Sequence, residues 1–140
     1  MTDLQIAKNN LEGHSICLCK EGKCIYSEKR GIAPMMDFIA EGVDLSGYTV
    51  ADLVVGKATA MLFVKCGIKR VFAKTLSEHA KRVLELYGVD YEYETLTPKI
   101  INRDGTDICP MEKAVTGTDD VEEAYSILLN KLNDLRNKNK

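Results

Sequence analysis

Apolar positions along the chain change their period several times, and each change marks an element. Residues 3–11 place Leu4, Ile6, Ala7 and Leu11 on one side of a short amphipathic helix. Residues 15–20 (Ser-Ile-Cys-Leu-Cys-Lys) and 23–27 (Lys-Cys-Ile-Tyr-Ser) are β-prone runs on either side of Glu21-Gly22, which reads as a two-residue hairpin turn. That register sets Cys19 opposite Cys24, Leu18 opposite Ile25 and Cys17 opposite Tyr26. Apolar side chains on both faces predict a strand pair covered by helices on each side.

After Pro34, Met35, Phe38 and Ile39 define a short helix that stops near Gly42. Thr49-Val-Ala-Asp52 has the form of a capping box, and Val50, Leu53, Val54, Ala58, Met61 and Leu62 follow at helical spacing. The spacing predicts one helix over 50–66, ended by Gly67; the alternative is a strand over 50–55 with the helix starting at Gly56. Residues 68–73 read as a strand, and Thr75-Leu-Ser-Glu78 as a second capping box opening a helix to Tyr87. A strand over 89–95 then completes a parallel crossover. Residues 100–108 suggest a second hairpin bent at Asp104-Gly105, and Cys109-Pro-Met-Glu112 opens a short helix ending at Gly117. Thr118 is the expected cap of the last helix, with Val121, Ala124, Tyr125, Leu128, Leu129, Leu132 and Leu135 as its buried stripe and residues 136–140 as a frayed tail. No internal repeat is visible, so 1–140 reads as one domain.

Composition narrows the function classes. The chain has 140 residues, 45% hydrophobic and 29% charged, the balance of a packed domain rather than a disordered one. A net charge of −2 removes the global electrostatic case for nucleic acid, and aromatics at 6% with no Trp supply no stacking platform. No stretch is apolar enough to span a bilayer, and the start reads unlike a signal peptide. Five cysteines, an odd count with no C-x-x-C pair, lead us to expect reduced thiols and a cytoplasmic location.

The order hairpin, helix, strand, helix, strand, helix is that of the cytidine-deaminase-like fold. The run Ile101-Asn-Arg-Asp-Gly-Thr-Asp-Ile-Cys-Pro-Met-Glu112, with Val55-Gly-Lys-Ala-Thr-Ala60 upstream, resembles the prokaryotic domain-of-unknown-function family 1893 over about 4–132. The resemblance implies a three-layer α/β/α domain with a cytidine-deaminase-like mixed sheet and an N-terminal β-hairpin. It implies no reaction. Zinc deamination needs an H-x-E and a P-C-x-x-C. The first would fall at Val50-Ala-Asp52 or Val55-Gly-Lys57, and the second at Thr75-Leu-Ser-Glu-His79. Val stands where the His belongs and no cysteine occurs at the second position, so no zinc site, other metal or cofactor is expected.

The candidate residues are those that a cleft at the carboxyl ends of parallel strands would gather. Thr75, Ser77, Glu78 and His79 either bind a ligand there or simply cap a helix. Lys57 lies in the apolar stripe of the long helix beside Gly56, and reads either as a cleft cation next to a point of close approach or as a snorkelling residue next to a packing glycine. Asp52, five residues away, is poorly spaced to partner it. Asn102 and Arg103, at the second hairpin's bend, could add a cation or be a solvated turn. Cys109 would be an N-cap, with Glu112 completing a capping box; a thiol at a helix start can be a nucleophile, supported by Glu112 or His79, or a structural residue. The hairpin cysteines, spaced C-x-C-x4-C, match no zinc pattern and read as small strand residues. The leading expectation is a domain binding a small anionic or nucleotide-like ligand. The alternatives are a thiol-dependent enzyme using Cys109 and a non-catalytic homo-oligomeric or regulatory subunit, and neither membrane nor nucleic acid is expected as a partner.

Overall fold

A computed structural model describes residues 2–101 and 109–138. Strands β1 (Ile16–Lys20), β2 (Lys23–Ser27), β3 (Thr49–Val55), β4 (Arg70–Ser77) and β5 (Asp90–Thr97) form one mixed sheet in the order β2-β1-β3-β4-β5. β1 is antiparallel to β2 and β3, whereas β3, β4 and β5 run parallel. The hairpin has the expected register, and both turn residues have positive φ (Glu21 at 52°, Gly22 at 81°), the twist that a two-residue hairpin loop requires.

Helices lie on both faces. α1 (Asp3–Asn9) covers one, packing Ala7 and the following Leu11 against Cys17, Cys19, Ala51 and Phe72. The other face carries the larger core, where Ile16, Leu18, Val50, Val71 and Leu76 meet buried residues of α2 (Ala33–Ala40), α3 (Lys57–Lys65), α4 (Glu78–Leu86) and α6 (Val121–Lys138). α5 (Pro110–Ala114) is a single short turn before α6. The result is the three-layer α/β/α architecture with a mixed sheet and an N-terminal hairpin. No helix among the described residues is long and apolar enough to cross a membrane.

Several expectations need correction. Residues 49–55 form the central strand, so the alternative of a strand followed by a helix from Gly56 holds and the single helix over 50–66 does not: Thr49–Asp52 pair with β1 and Thr49–Val55 with β4. A short β-branched run with apolar residues on both faces satisfies helical spacing by coincidence, and only its neighbours decide. The cap of α4 is Ser77, whose Oγ accepts from Ala80 N–H at 3.0 Å; Thr75 lies within β4 opposite Thr95. Thr118 accepts from Asp120 N–H at 3.1 Å, and Asp120 in turn accepts from Glu123 N–H at the start of α6. Leu129 is exposed rather than part of the stripe, and α6 continues to Lys138, into the expected tail. Cys19 and Cys24 are joined as a disulfide, contrary to the expectation that all thiols are reduced; their Cα atoms are 4.2 Å apart, the close approach of a non-hydrogen-bonded antiparallel pair. The second hairpin at 102–108, with Asn102 and Arg103, lies outside the described residues.

Candidate functional site

β3 ends at Val55, and Gly56 turns the chain directly into α3, with Gly56 as N-cap in ordinary extended backbone (φ −97°, ψ −179°). That conformation suits any residue, so glycine must be there for another reason. A Cβ on Gly56 would lie 2.2 Å from Glu112 Oε1. The Glu112 side chain reaches from α5 across Gly56 and accepts hydrogen bonds from Lys57 N–H at 2.6 Å and Ala58 N–H at 2.7 Å. These are two of the donors that a helix start leaves unpaired. The capping box expected within α5 is therefore not formed. Cys109 makes no side-chain cap, and Glu112 caps α3 instead.

This junction forms part of the wall of a cavity of about 470 Å³. Its lining includes the turn into α2 (Gly31, Ile32, Pro34), the end of β3 (Asp52, Leu53, Val54), the start of α3 (Gly56, Ala58, Thr59), and Ile100, Cys109, Met111 and Glu112. Two carboxyl groups stand in this mainly apolar surface. Burial pushes Asp52 up to about 8, against the pull of the Val54 and Leu53 N–H groups. Burial also raises Glu112, opposed by the two α3 N–H groups and by the charges of His79 and Lys57. At the mouth stand Lys29, whose ammonium pairs with Asp37 at 2.5 Å, and Arg30, which is exposed and forms no ion pair with an acid among the described residues.

Lys57 is 4% exposed, and its Nζ lies 3.2 Å from Asp119 Oδ1 and 3.4 Å from Thr116 O. Its partner is Asp119 at the start of α6 rather than Asp52, and the ammonium is engaged there while its backbone N–H serves Glu112. Asp119 also receives both terminal nitrogens of Arg82, at 3.2 and 2.8 Å, which holds its carboxyl below the usual range. The two partners should therefore respond unequally to mutation. Lys57→Met keeps the stem volume and leaves Asp119 paired with Arg82, so urea unfolding should change by no more than about 1 kcal/mol. Asp119→Ala strands a buried ammonium and should destabilise the protein more.

Of the remaining sequence candidates, Ser77 is buried as a cap and Thr75 lies in a strand. Glu78 and His79 are exposed in the first turn of α4, and none of these four lines the cavity. Gly56, Cys109 and Glu112 do. The sequence reading missed Asp52 as a cavity acid, although an acid inside an otherwise apolar β-run was a signal. It also missed Arg30, for which no motif exists.

Among the described residues the cavity lining holds no histidine and a single cysteine, Cys109, and both Glu112 oxygens are taken by backbone N–H groups, so a set of one histidine and two cysteines is not assembled there. Among the described residues, Cys17, Cys19 and Cys24 are the one group of three such side chains close enough to share an ion.

Comparison with known proteins shows a strong family likeness. Residues 6–132 match the family model described as "Domain of unknown function (DUF1893)". The crystal structure of a DUF1893 family protein from Thermotoga maritima aligns with a TM-score of 0.85 at 30% identity, covering 94% of this chain and 91% of that one. The apo dCMP deaminase of cyanophage S-TIM5 aligns with a TM-score of 0.46 at 12% identity, over 64% of this chain and 92% of that one. A diaminohydroxyphosphoribosylaminopyrimidine deaminase/5-amino-6-(5-phosphoribosylamino)uracil reductase from T. maritima gives 0.43 at 18%, over 66% of this chain and 34% of that one. No curated protein matches.

Proposed function

We propose that this chain, which belongs to the DUF1893 family, binds a small nucleotide-like molecule in the cavity between α2, α3 and α5. The observation that carries this reading is the pairing of chemistries along the cavity. A buried acid, Asp52, lies in the apolar wall, and the exposed Arg30, which has no acid partner among the described residues, lines the same cavity. A nucleobase offers apolar faces with donors and acceptors on its edge. A carboxyl group that is protonated at neutral pH can both donate to and accept from such an edge. A phosphate or carboxylate on the same molecule would then meet Arg30, whose guanidinium suits bidentate pairing. Arg30 thus takes the part that the sequence suggested for Lys57, whose ammonium is engaged with Asp119.

Thermal unfolding in the presence of nucleosides, nucleotides and simple phosphate esters tests this reading. At a hundredfold excess over its dissociation constant, a ligand stabilises the folded protein by about 2.7 kcal/mol, a readily measured shift. Nucleotides should shift the wild type, and shift Arg30→Gln and Asp52→Asn less, each measured against its own unliganded melt. Nucleosides should lose their shift in Asp52→Asn alone. If no nucleotide shifts the wild type more than Arg30→Gln, the reading is wrong.

One observation favours the thiol-enzyme alternative. Cys109, half-buried, lines the same cavity. Alkylation rates separate the two, since a nucleophilic Cys109 should react far faster than Cys66, whose thiol burial pushes up.

A further inference from the structure

On the opposite face of the sheet, beneath α1, three sulfur atoms converge. Cys17 and Cys19 lie two residues apart on β1 and so point to the same face, and Cys24 stands directly across the hairpin from Cys19. The Sγ atoms of Cys17 and Cys19 are 3.6 Å apart, and all three sulfurs lie within 4.8 Å of one another. Cys17 and Cys19 are fully buried, packed with Ala7, Leu11, Ala51 and Phe72, whereas Cys24 is only partly covered.

We propose that the reduced hairpin is a closed three-sulfur site for one monovalent copper ion, and that the Cys19–Cys24 disulfide is its oxidised, metal-free state. A metal–sulfur bond of about 2.3 Å in a trigonal arrangement places sulfurs about 4.0 Å apart, close to the spacing already present between Cys17 and Cys19. Among the described residues no histidine, aspartate or glutamate joins the three sulfurs in that group. Zinc in structural sites takes four ligands, whereas a set of sulfur donors alone is one that soft monovalent copper accepts. Cys24, at the edge of the cluster, is where the ion would enter. The strand pair holds the three Cα atoms in register, so little ordering is left for the ion to impose.

The two states are linked by a balanced exchange. A dithiol reductant attacks the disulfide at Cys24 Sγ and is itself oxidised to a disulfide, leaving Cys19 and Cys24 as thiols. Two electrons and two protons thereby pass to the protein. Copper then replaces the protons of the thiols that ligate it, and these leave to solvent. The reverse exchange, with a small-molecule disulfide as the oxidant that is itself reduced to a dithiol, re-forms the Cys19–Cys24 bond and releases the ion as monovalent copper, so disulfide formation and copper retention exclude one another.

The full chain tests this after reduction with dithiothreitol and anaerobic removal of the reductant. Monovalent copper is titrated in against a competing chromogenic chelator, and thiolate-to-copper charge-transfer absorption is followed. One equivalent should bind, with affinity reduced at least a hundredfold in Cys17→Ser and Cys24→Ser and unchanged in Cys66→Ser and Cys109→Ser. Circular dichroism establishes that each variant is folded. Should Cys17→Ser fail to fold, Cys24→Ala, at the partly covered edge, provides the decision. Protein with the disulfide intact should not bind. No binding in competition with the chelator, binding insensitive to Cys17 and Cys24, or preferential uptake of zinc would each overturn the proposal.

Discussion

Asp52→Asn is expected to stabilise the protein by about 3–5 kcal/mol at pH 8 and to leave it unchanged below about pH 4. Burial lifts the Asp52 carboxyl from an ordinary 3.8 to about 8, so the folded chain holds a proton there that the unfolded chain releases. A group whose pKa is raised on folding contributes its full stability below the unfolded value. That contribution is lost as pH rises through the interval to the folded value, here between about 4 and 8. Asparagine has nearly the same shape and cannot ionise, so the variant should lack this loss. Urea unfolding of both proteins across this range measures the effect directly. Equal pH slopes for wild type and variant would mean that Asp52 is solvated or paired in solution. The same proton bears on function, because a cavity acid that is neutral at pH 7 can donate a hydrogen bond to a ligand, whereas an ionised one can only accept.

The junction of β3 and α3 supplies the second large effect. Gly56→Ala places a Cβ in the space of the Glu112 carboxylate, which must withdraw and leave Lys57 and Ala58 N–H unpaired. Losing two charge-assisted bonds at a helix start should cost about 2–4 kcal/mol. Glu112→Ala removes the same bonds without the clash and should cost a similar amount. In the Glu112→Ala background, however, the three atoms nearest to the new Cβ, all from the Glu112 carboxyl group, are gone. The backbone there is extended and tolerates any side chain, so the second substitution should be neutral or slightly stabilising. Equilibrium unfolding of the two single variants and the double variant gives the coupling, expected at about 2 kcal/mol or more. Additive effects would show that the carboxylate does not cap α3 in solution. Because Glu112 ties α5 to the start of α3 across one wall of the cavity, ligand shifts should weaken in the same variants.

What was legible in the sequence is what neighbouring residues decide among themselves. Glu21-Gly22 requires a tight turn, so the hairpin and its register followed, down to Cys19 standing opposite Cys24, though not the disulfide between them. Glycines and prolines bounded the later helices, and the mixed, doubly covered sheet followed from apolar residues on both faces of the first strands. The odd residues of the 55–60 and 101–112 runs were also visible as odd, and the structure brings three of them, Gly56, Lys57 and Glu112, into contact. Their arrangement was not visible, because each contact crosses more than fifty residues. Glu112 caps a helix other than its own, and Lys57 finds its counter-charge on the approach to α6. Residues 49–55 show the same limit from another side. Alone they satisfy a helical period, and they become a strand because β1 and β4 offer hydrogen-bonding edges on both sides. The sequence by itself determined the hairpin turn, the glycines that end α3 and α4 and the covered sheet, since those depend on local geometry and hydrophobic period; none of the expected caps held, because each depends on where its strand or helix begins in the folded chain. Only the tertiary structure decided which strand is central, which acid is driven out of water and which acid pairs with Lys57, since those depend on what packs against a residue from far along the chain.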